Sequence, residues 1–284
     1  MEVLDISIFV VIGIVAAVCF AYALFIEQFN IKKKNIDISF PNLPNAFDGF
    51  TILHLSDFHI KKMGLLEKRT MEMVSEREVD ACVITGDVTA NPRASDTFRR
   101  VCSAIKLRDQ IYMVLGNSEH KPWVNTEILT EALTFPGLNM LINSSTTIHR
   151  GCEKISIAGV DDPFSRLDDV DKAFEGVDPN DFIIFLTHCP SRAYDGIKQG
   201  ADLILSGHTH GGQVRFPFIG MLWTHMRSYK KLNDGLFMPD DLKRILKTDT
   251  GSSILYVSRG IGTSRIHLRF LCPPEITYIT LRKA

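Results

Sequence analysis

The chain has 284 residues, 45% of them hydrophobic and 23% charged, with a formal net charge of −1. That length suits one large domain or two small ones, and the composition is that of a globular protein. The near-zero charge supplies no basic field, so nucleic acid is not expected as a partner.

The first element is apolar. Ile6 to Ile26 carries no charge, and at ~1.5 Å per residue this stretch spans ~30 Å, the hydrocarbon thickness of a bilayer. A cleaved signal peptide needs a basic start and a shorter apolar core. Here the start is acidic, with Glu2 and Asp5, so an uncleaved transmembrane helix is expected. Lys32, Lys33 and Lys34 follow the span. Basic residues stay on the cytoplasmic side, which predicts a single-pass protein of the inner (cytoplasmic) membrane with the rest of the chain facing the cytoplasm. The same lysines are suited to anionic headgroups. Residues 1–34 are therefore expected as anchor and basic juxtamembrane segment, and residues 35–284 as the folded domain.

Ile36, Ile38 and Phe40 alternate before two prolines and a glycine, which reads as an edge strand and a turn. Three similar units come next. "FTILHLSDFH" ends its apolar run at Asp57, "ACVITGD" at Asp87 and "IYMVLGN" at Asn117, each 30 positions after the last. Helix-favouring segments separate them, from about Leu65 to Arg77 and from about Arg93 to Ile105. This is the length of a strand–helix–strand unit and predicts a parallel sheet whose strand ends converge. "LNMLI", "TTIHR" and "KISIAGV" are short and close together, as in an antiparallel meander. "FIIFLTHCP" and "ADLILSGHTHGGQ" are again apolar strands ending on histidines, and "SILYVSRG" and "EITYITLR" finish the chain as strands. The six cysteines sit mostly within apolar runs and form no CxxC pair, which reads as reduced thiols.

The strand ends supply Asp57, His59, Asp87, Asn117, His188, His208 and His210. A lone strand-end histidine is usually structural, and an aspartate after glycine is often only a cap. A joint set of two carboxylates, one amide and four imidazoles is what hard-to-borderline divalent metals take. Seven ligands exceed the need of one ion, so two ions sharing a carboxylate are expected, clamping a phosphoryl group.

At this point the sequence resembles a known family. "DFH", "GDV", "GNSE", "THCP" and "GHTHGGQ" look like the five motifs of the calcineurin-like metallophosphoesterases, in order, over about residues 50–282. The resemblance implies an α/β fold, a four-layer αββα sandwich of two mixed sheets, with a dinuclear site at the strand ends. By position, Asp57, His59, Asp87 and His210 would bind one ion. Asp87, Asn117, His188 and His208 would bind the other, with Asp87 as the bridge. Asn117 would also contact the substrate phosphate.

The departure is at "GNSEH". Most family members carry histidine directly after Gly-Asn, where it helps protonate the leaving oxygen; here the residue is Ser118. Glu119 matches the acidic residue that orients that imidazole, and His120 stands two positions late. Either His120 has moved in as the acid, or the leaving group needs none. Pyrophosphates leave as phosphates of low pKa, so an enzyme without the acid favours phosphoanhydrides. The N-terminal helix and the apolar run at Phe216, Phe218, Ile219, Met221, Leu222 and Trp223 suggest a lip that dips into a bilayer or holds acyl chains; core strand is the plainer alternative.

Together these features resemble the membrane-anchored branch that includes UDP-2,3-diacylglucosamine hydrolases of lipid A biosynthesis, which typically use manganese; zinc or iron would also suit the ligands. "AGVDDPF" and "YVSRGIGTS" look like that branch, and make Asp161, Asp162 and Arg259 candidate supporting or substrate contacts. The expected partners are a phosphorylated small-molecule or lipid substrate and a membrane. A phosphodiesterase or phosphatase using His120 is the alternative, and a metal-free binding scaffold a remote one.

Overall fold

A computed structural model describes residues 2–221, 226 and 228–284, with side chains from residue 8 onward. Helix α1 (Glu2–Phe25) leads without a long linker into the folded domain. Strand β1 (Lys32–Phe40) and β2 (Thr51–Leu55) come first, then α2 (Leu65–Val74), β3 (Glu78–Val79), β4 (Ala81–Thr85), α3 (Ser95–Ser103), β5 (Lys106–Leu107), β6 (Ile111–Val114), α4 (Thr126–Leu133) and β7 (Leu138–Met140). The second half holds β8 (Ser144–Arg150), β9 (Glu153–Gly159), α5 (Val170–Ala173), β10 (Phe182–Leu186), α6 (Ala193–Lys198), β11 (Leu203–Ser206), β12 (Arg215–Phe216) and β13 (Gly220–Met221). It ends with β14 (Gly235–Phe237), α7 (Pro239–Leu246), β15 (Ile254–Val257) and β16 (Glu275–Lys283).

Two six-stranded mixed sheets result, ordered β1-β16-β2-β4-β6-β7 and β14-β15-β11-β10-β9-β8. In the first, β2, β4, β6 and β7 run parallel and β16 is antiparallel to β2. In the second, β9, β10, β11 and β15 are parallel, flanked by antiparallel β8 and β14. The sheets stack face to face: Ile52, Val83, Tyr112 and Val114 of one meet Ile157, Ile184, Leu205 and Tyr256 of the other. The outer face of the first sheet packs on α2–α4 through Val74, Phe98 and Leu129, and that of the second on α5–α7 through Ala173, Ala193 and Leu242. This is the four-layer α/β sandwich that the motifs implied. The central strands are buried on both faces, which explains their unbroken apolar runs.

One expectation is corrected. "LNMLI" does not join a meander: β7 pairs parallel with β6 in the first sheet, and the Leu141 N–H donates to the Met113 carbonyl. The reason is α4, capped by the Asn125 side chain, which supplies the crossover that a parallel pair requires. Of the three segments, the last two pair antiparallel, as the β8–β9 hairpin. The three lysines are the first three residues of β1, paired with Glu275, Ile276 and Thr277 of β16. Lys34 is ion-paired with the buried Glu275 at 2.6 Å. All six cysteines are free thiols.

The residues Ile8–Phe29 are long and apolar enough to cross a membrane. Most of this stretch makes no packing contact with the domain, as Phe9, Val11, Ile12 and Val15 are each more than half exposed.

Candidate metal centre

The loops after β2, β4, β6, β10 and β11 meet at one edge of the sandwich. They bring Asp57, His59, Asp87 and His210 together so that one ligand atom from each lies within 4.8 Å of the others. His59 Nε2 stands 3.1 Å from His210 Nε2 and 3.4 Å from Asp87 Oδ2, and His210 Nε2 stands 3.4 Å from Asp57 Oδ1. Beside this group, His188 Nε2 lies 3.5 Å from Asp87 Oδ1, 3.3 Å from Asn117 Oδ1 and 3.1 Å from His208 Nδ1. Asp87 faces both groups, one oxygen toward each. All seven strand-end residues singled out in the sequence therefore stand at one place.

The backbone is strained where the ligands sit. Asp57, His59, Asp87, His208 and His210 all have φ between 50° and 70°. Non-glycine residues seldom adopt this left-handed region, and such strain gathers at functional sites. Glycines admit the crowding. A Cβ on Gly207 would fall 1.9 Å from Ser56 Oγ and 2.4 Å from Asp57 Oδ2. A Cβ on Gly211, at φ +58°, would fall 2.8 Å from Cys272 Sγ.

A layer of hydrogen bonds aims the donors. His188 Nδ1 is 2.7 Å from the Thr85 carbonyl, which makes it the protonated nitrogen and turns Nε2 inward. Asp57 Oδ2 accepts from Ser56 Oγ at 2.6 Å and from the His208 N–H at 2.9 Å. Its Oδ1 is buried and, among the described residues, accepts no hydrogen bond, with His210 Nε2 3.4 Å away. Asp87 Oδ1 accepts from the Ser118 N–H at 2.6 Å.

Electrostatics point the same way. Burial, with the Asp87 charge added, pushes the Asp57 carboxyl up to about 6. Burial alone would raise Asp87 too, but the His188 and His59 imidazoles bring it down to about 2. Burial takes His59 down to about 4. It opposes the charge on His188 as well, yet Asp87 and Asp57 carry that group up to about 9. Two carboxylates buried side by side, an acceptor with no donor and inward-facing imidazoles form a set that divalent cations fit.

The four polar residues after Gly116 divide. Asn117 faces His188. The Ser118 hydroxyl lies 3.2 Å from His59 Nδ1, so it holds the ring that turns Nε2 toward Asp87. Glu119, fully buried, accepts the N–H groups of Asp87 (3.1 Å), Thr89 (3.0 Å) and Gly116 (2.8 Å). Its carboxylate thus splints two ligand loops. His120 turns to the second sheet: Nε2 pairs with Asp161 Oδ1 at 2.6 Å and Nδ1 lies 3.4 Å from Thr126 Oγ1. Burial lowers the imidazole, but the Asp161 hydrogen bond and charge outweigh it and raise its pKa above the ordinary value.

Asp162 accepts from the N–H groups of Phe164 and Ser165, shaping the turn that sets the Phe164 ring 5.4 Å from His208. Arg259 pairs with Asp234 at 2.7 Å and packs its stem behind Gly211. Leu222 and Trp223 lie outside the described residues. Sequence reasoning missed Arg269. Fully buried, it donates to the carbonyls of Gly262, Gly260, Arg259 and Cys272, and its Nη2 lies 3.4 Å from His210 Nδ1. Nothing in "HLRFLC" signals this. Ser56, which braces Asp57, carried a weak signal as the residue just before the first motif.

The chain is similar to known proteins. The family model "Calcineurin-like phosphoesterase" matches residues 50–212. A metallophosphoesterase of Bacillus subtilis (strain 168), YkuE, is 31% identical over 93% of this chain and 90% of its own length. A Helicobacter pylori (strain J99) metallophosphoesterase is 33% identical, covering 81% of this chain and 59% of its own. A "transmembrane protein with metallophosphoesterase domain" of Danio rerio is 30% identical, covering 95% of this chain and 62% of its own. The chain thus spans nearly all of the first relative and about three-fifths of the other two.

Proposed function

The chain belongs to the calcineurin-like phosphoesterase family, a family of metal-dependent phosphoester hydrolases, and we propose that it is a membrane-anchored hydrolase of phosphoanhydrides working with two divalent ions. Asp57, His59, Asp87 and His210 would hold one ion, and Asp87, Asn117, His188 and His208 the other. When bound, the pair supplies an activated water and positive charge opposite the phosphoryl oxygens. Manganese is the expected metal. Asn117, with Oδ1 turned to His188, has its amide N–H groups to donate to a phosphoryl oxygen.

The observation that carries the substrate class is Ser118. The position after Gly-Asn holds a hydroxyl on His59 Nδ1, with no imidazole to protonate a leaving oxygen. In hydrolysis the water oxygen forms the new P–O bond, the bridging P–O bond breaks, and the departing oxygen takes the electron pair. A departing phosphate holds that charge at neutral pH; an alkoxide does not. A lipid-linked nucleotide pyrophosphate such as UDP-2,3-diacylglucosamine fits both this chemistry and the apolar N-terminal helix. The lysines of β1 favour the cytoplasmic side.

A second reading keeps His120 as the acid for esters, and one observation favours it: Asp161, 2.6 Å from Nε2, raises the imidazole pKa and so favours its protonated form. A panel separates the two. The full chain, loaded with manganese, is assayed on UDP-2,3-diacylglucosamine, nitrophenyl esters and a cyclic nucleotide. Fast diester hydrolysis with negligible turnover of the pyrophosphate would sink the first reading. His120→Ala adds a second arm. A loss of a few-fold supports it, and a loss of several hundred-fold with metal content intact supports the acid.

A further inference from the structure

The end of α1 is fastened to the candidate metal centre. Glu27, buried just past the helix, accepts the N–H groups of Leu271 (2.9 Å) and Cys272 (2.6 Å). The Cys272 thiol donates to the His210 carbonyl at 3.3 Å. The Arg269 N–H donates to the Ala23 carbonyl at 3.2 Å, while its guanidinium reaches His210. The domain is therefore held at a set height and orientation on the helix.

Between α1 and the domain runs an apolar groove of about 580 Å³. Cys19 and Phe20 form part of one wall, and Phe216, Ile266 and Phe270 part of the other. Helix geometry fixes its depth. Phe20 is five residues before Phe25 and so lies ~7.5 Å inside that end of the helix. The uncharged stretch Ile6–Ile26 is only as long as the hydrocarbon layer is thick, so Phe20 cannot leave the layer without drawing polar residues in at the other end. Whatever depth Phe20 occupies, the domain wall beside it shares.

The neighbouring surface suits that depth. β12 and β13 form a hairpin whose tip carries Phe218, fully exposed, and Ile219, 72% exposed. The Arg215 N–H donates to the Phe270 carbonyl and the Phe270 N–H donates to the Gln213 carbonyl, both at 2.9 Å, which staples this hairpin to the segment tied to α1. Arg265 and His267 flank Ile266 of the groove wall and are exposed, as are Lys61 and Lys62; Lys61 Nζ lies 2.9 Å from His267 Nε2, a basic rim suited to anionic headgroups. Lys61 and Lys62 follow His59 by two and three residues, so the rim and the centre share one loop.

We propose that this groove takes an acyl chain of an anionic membrane lipid, and that the phosphoryl group of such a lipid reaches the centre sideways from the bilayer, past the basic rim. The substrate half of this inference rests on the phosphohydrolase reading; the depth of the face does not.

The test uses the full chain, metal-loaded, in nanodiscs of phosphatidylcholine and phosphatidylglycerol. A nitroxide is attached at Phe218→Cys in a Cys152→Ser background, with Trp123→Cys as the aqueous control. The Phe218 label is expected to collide with dissolved oxygen and to be shielded from a nickel chelate, while the control meets both. A Phe218 label as open to the chelate as the control overturns the embedded face. In the second arm, Ile266→Glu is compared with the parent on a lipid pyrophosphate in the disc and on bis-p-nitrophenyl phosphate in solution. The ratio of lipid to soluble turnover is expected to fall about tenfold, the equivalent of losing one buried aliphatic side chain. An unchanged ratio overturns the acyl groove, as does shielding of the label that arises only when two copies share a disc. No turnover of either substrate with any divalent ion defeats the phosphohydrolase reading, and the label still decides the depth.

Discussion

The loop after β2 and the loop after β6 look alike in sequence and behave differently. Both follow an apolar strand and carry polar side chains in close order. After β2, Asp57 and His59 both turn to the same cluster. After β6, only Asn117 does so directly. Ser118 braces His59, Glu119 splints backbone, and His120 crosses to Asp161 on the other sheet. Adjacency in sequence therefore does not confer a shared role. The position that repeats every 30 residues points into the centre, and its neighbours take whatever the surrounding loops leave unsatisfied.

Substitutions can break this contrast, beginning with the shared carboxylate. Asp87→Asn removes a charge that both ligand groups face, and turnover of bis-p-nitrophenyl phosphate is expected to fall by ~10³-fold, the scale of losing a charge-stabilising group. Metal content by mass spectrometry should fall below two ions per chain. If content and turnover both persist, Asp87 is not the shared ligand.

Ser118→Ala comes next. It deletes the hydroxyl on His59 Nδ1, and manganese affinity is expected to drop by ~10–100-fold, as for other partners of metal-bound histidines. Titration calorimetry reads this; unchanged affinity would mean that the hydroxyl does not position His59.

Glu119→Gln replaces an acceptor of three buried N–H groups with an amide that offers one oxygen. A loss of about 2 kcal/mol is expected in thermal or denaturant unfolding, since buried donors are left without partners. If instead turnover collapses with stability intact, Glu119 acts in the chemistry and not as a splint.

The smallest effect is expected at His120, and it depends on pH. Asp161 raises the folded pKa of His120 above 6.5, so folding favours its protonated form. The stabilisation is fully present below pH 6.5 and is lost as the pH rises through the higher folded value. The stability gap between the parent and His120→Gln should therefore narrow across that interval, measured by differential scanning fluorimetry. A gap that widens with pH would contradict the ion pair.

Some of this was legible early. Apolar runs ending on Asp57, Asp87, Asn117, His188 and His208 reported strands buried on both faces, and even spacing reported parallel order, because each crossover consumes about the same length of chain. The antiparallel reading of "LNMLI" failed because a three-residue strand carries almost no period of its own; what decided its partner was α4. The lysines at 32–34 gave no strand signal because charge ordinarily marks a chain segment as solvated, yet β16 offered a free edge for their backbone to pair with.

By itself, the sequence determined the element types, the order of the motif residues and the length of the apolar helix, since burial on two faces and 30 Å of hydrocarbon each impose a pattern on neighbouring residues. Only the tertiary structure decided which polar residue takes which partner. Arg269 reaches His210 across 59 positions, and Glu27 holds Cys272 across 245. Such contacts satisfy buried donors and acceptors that meet only when the two sheets close, and a local pattern holds no trace of them.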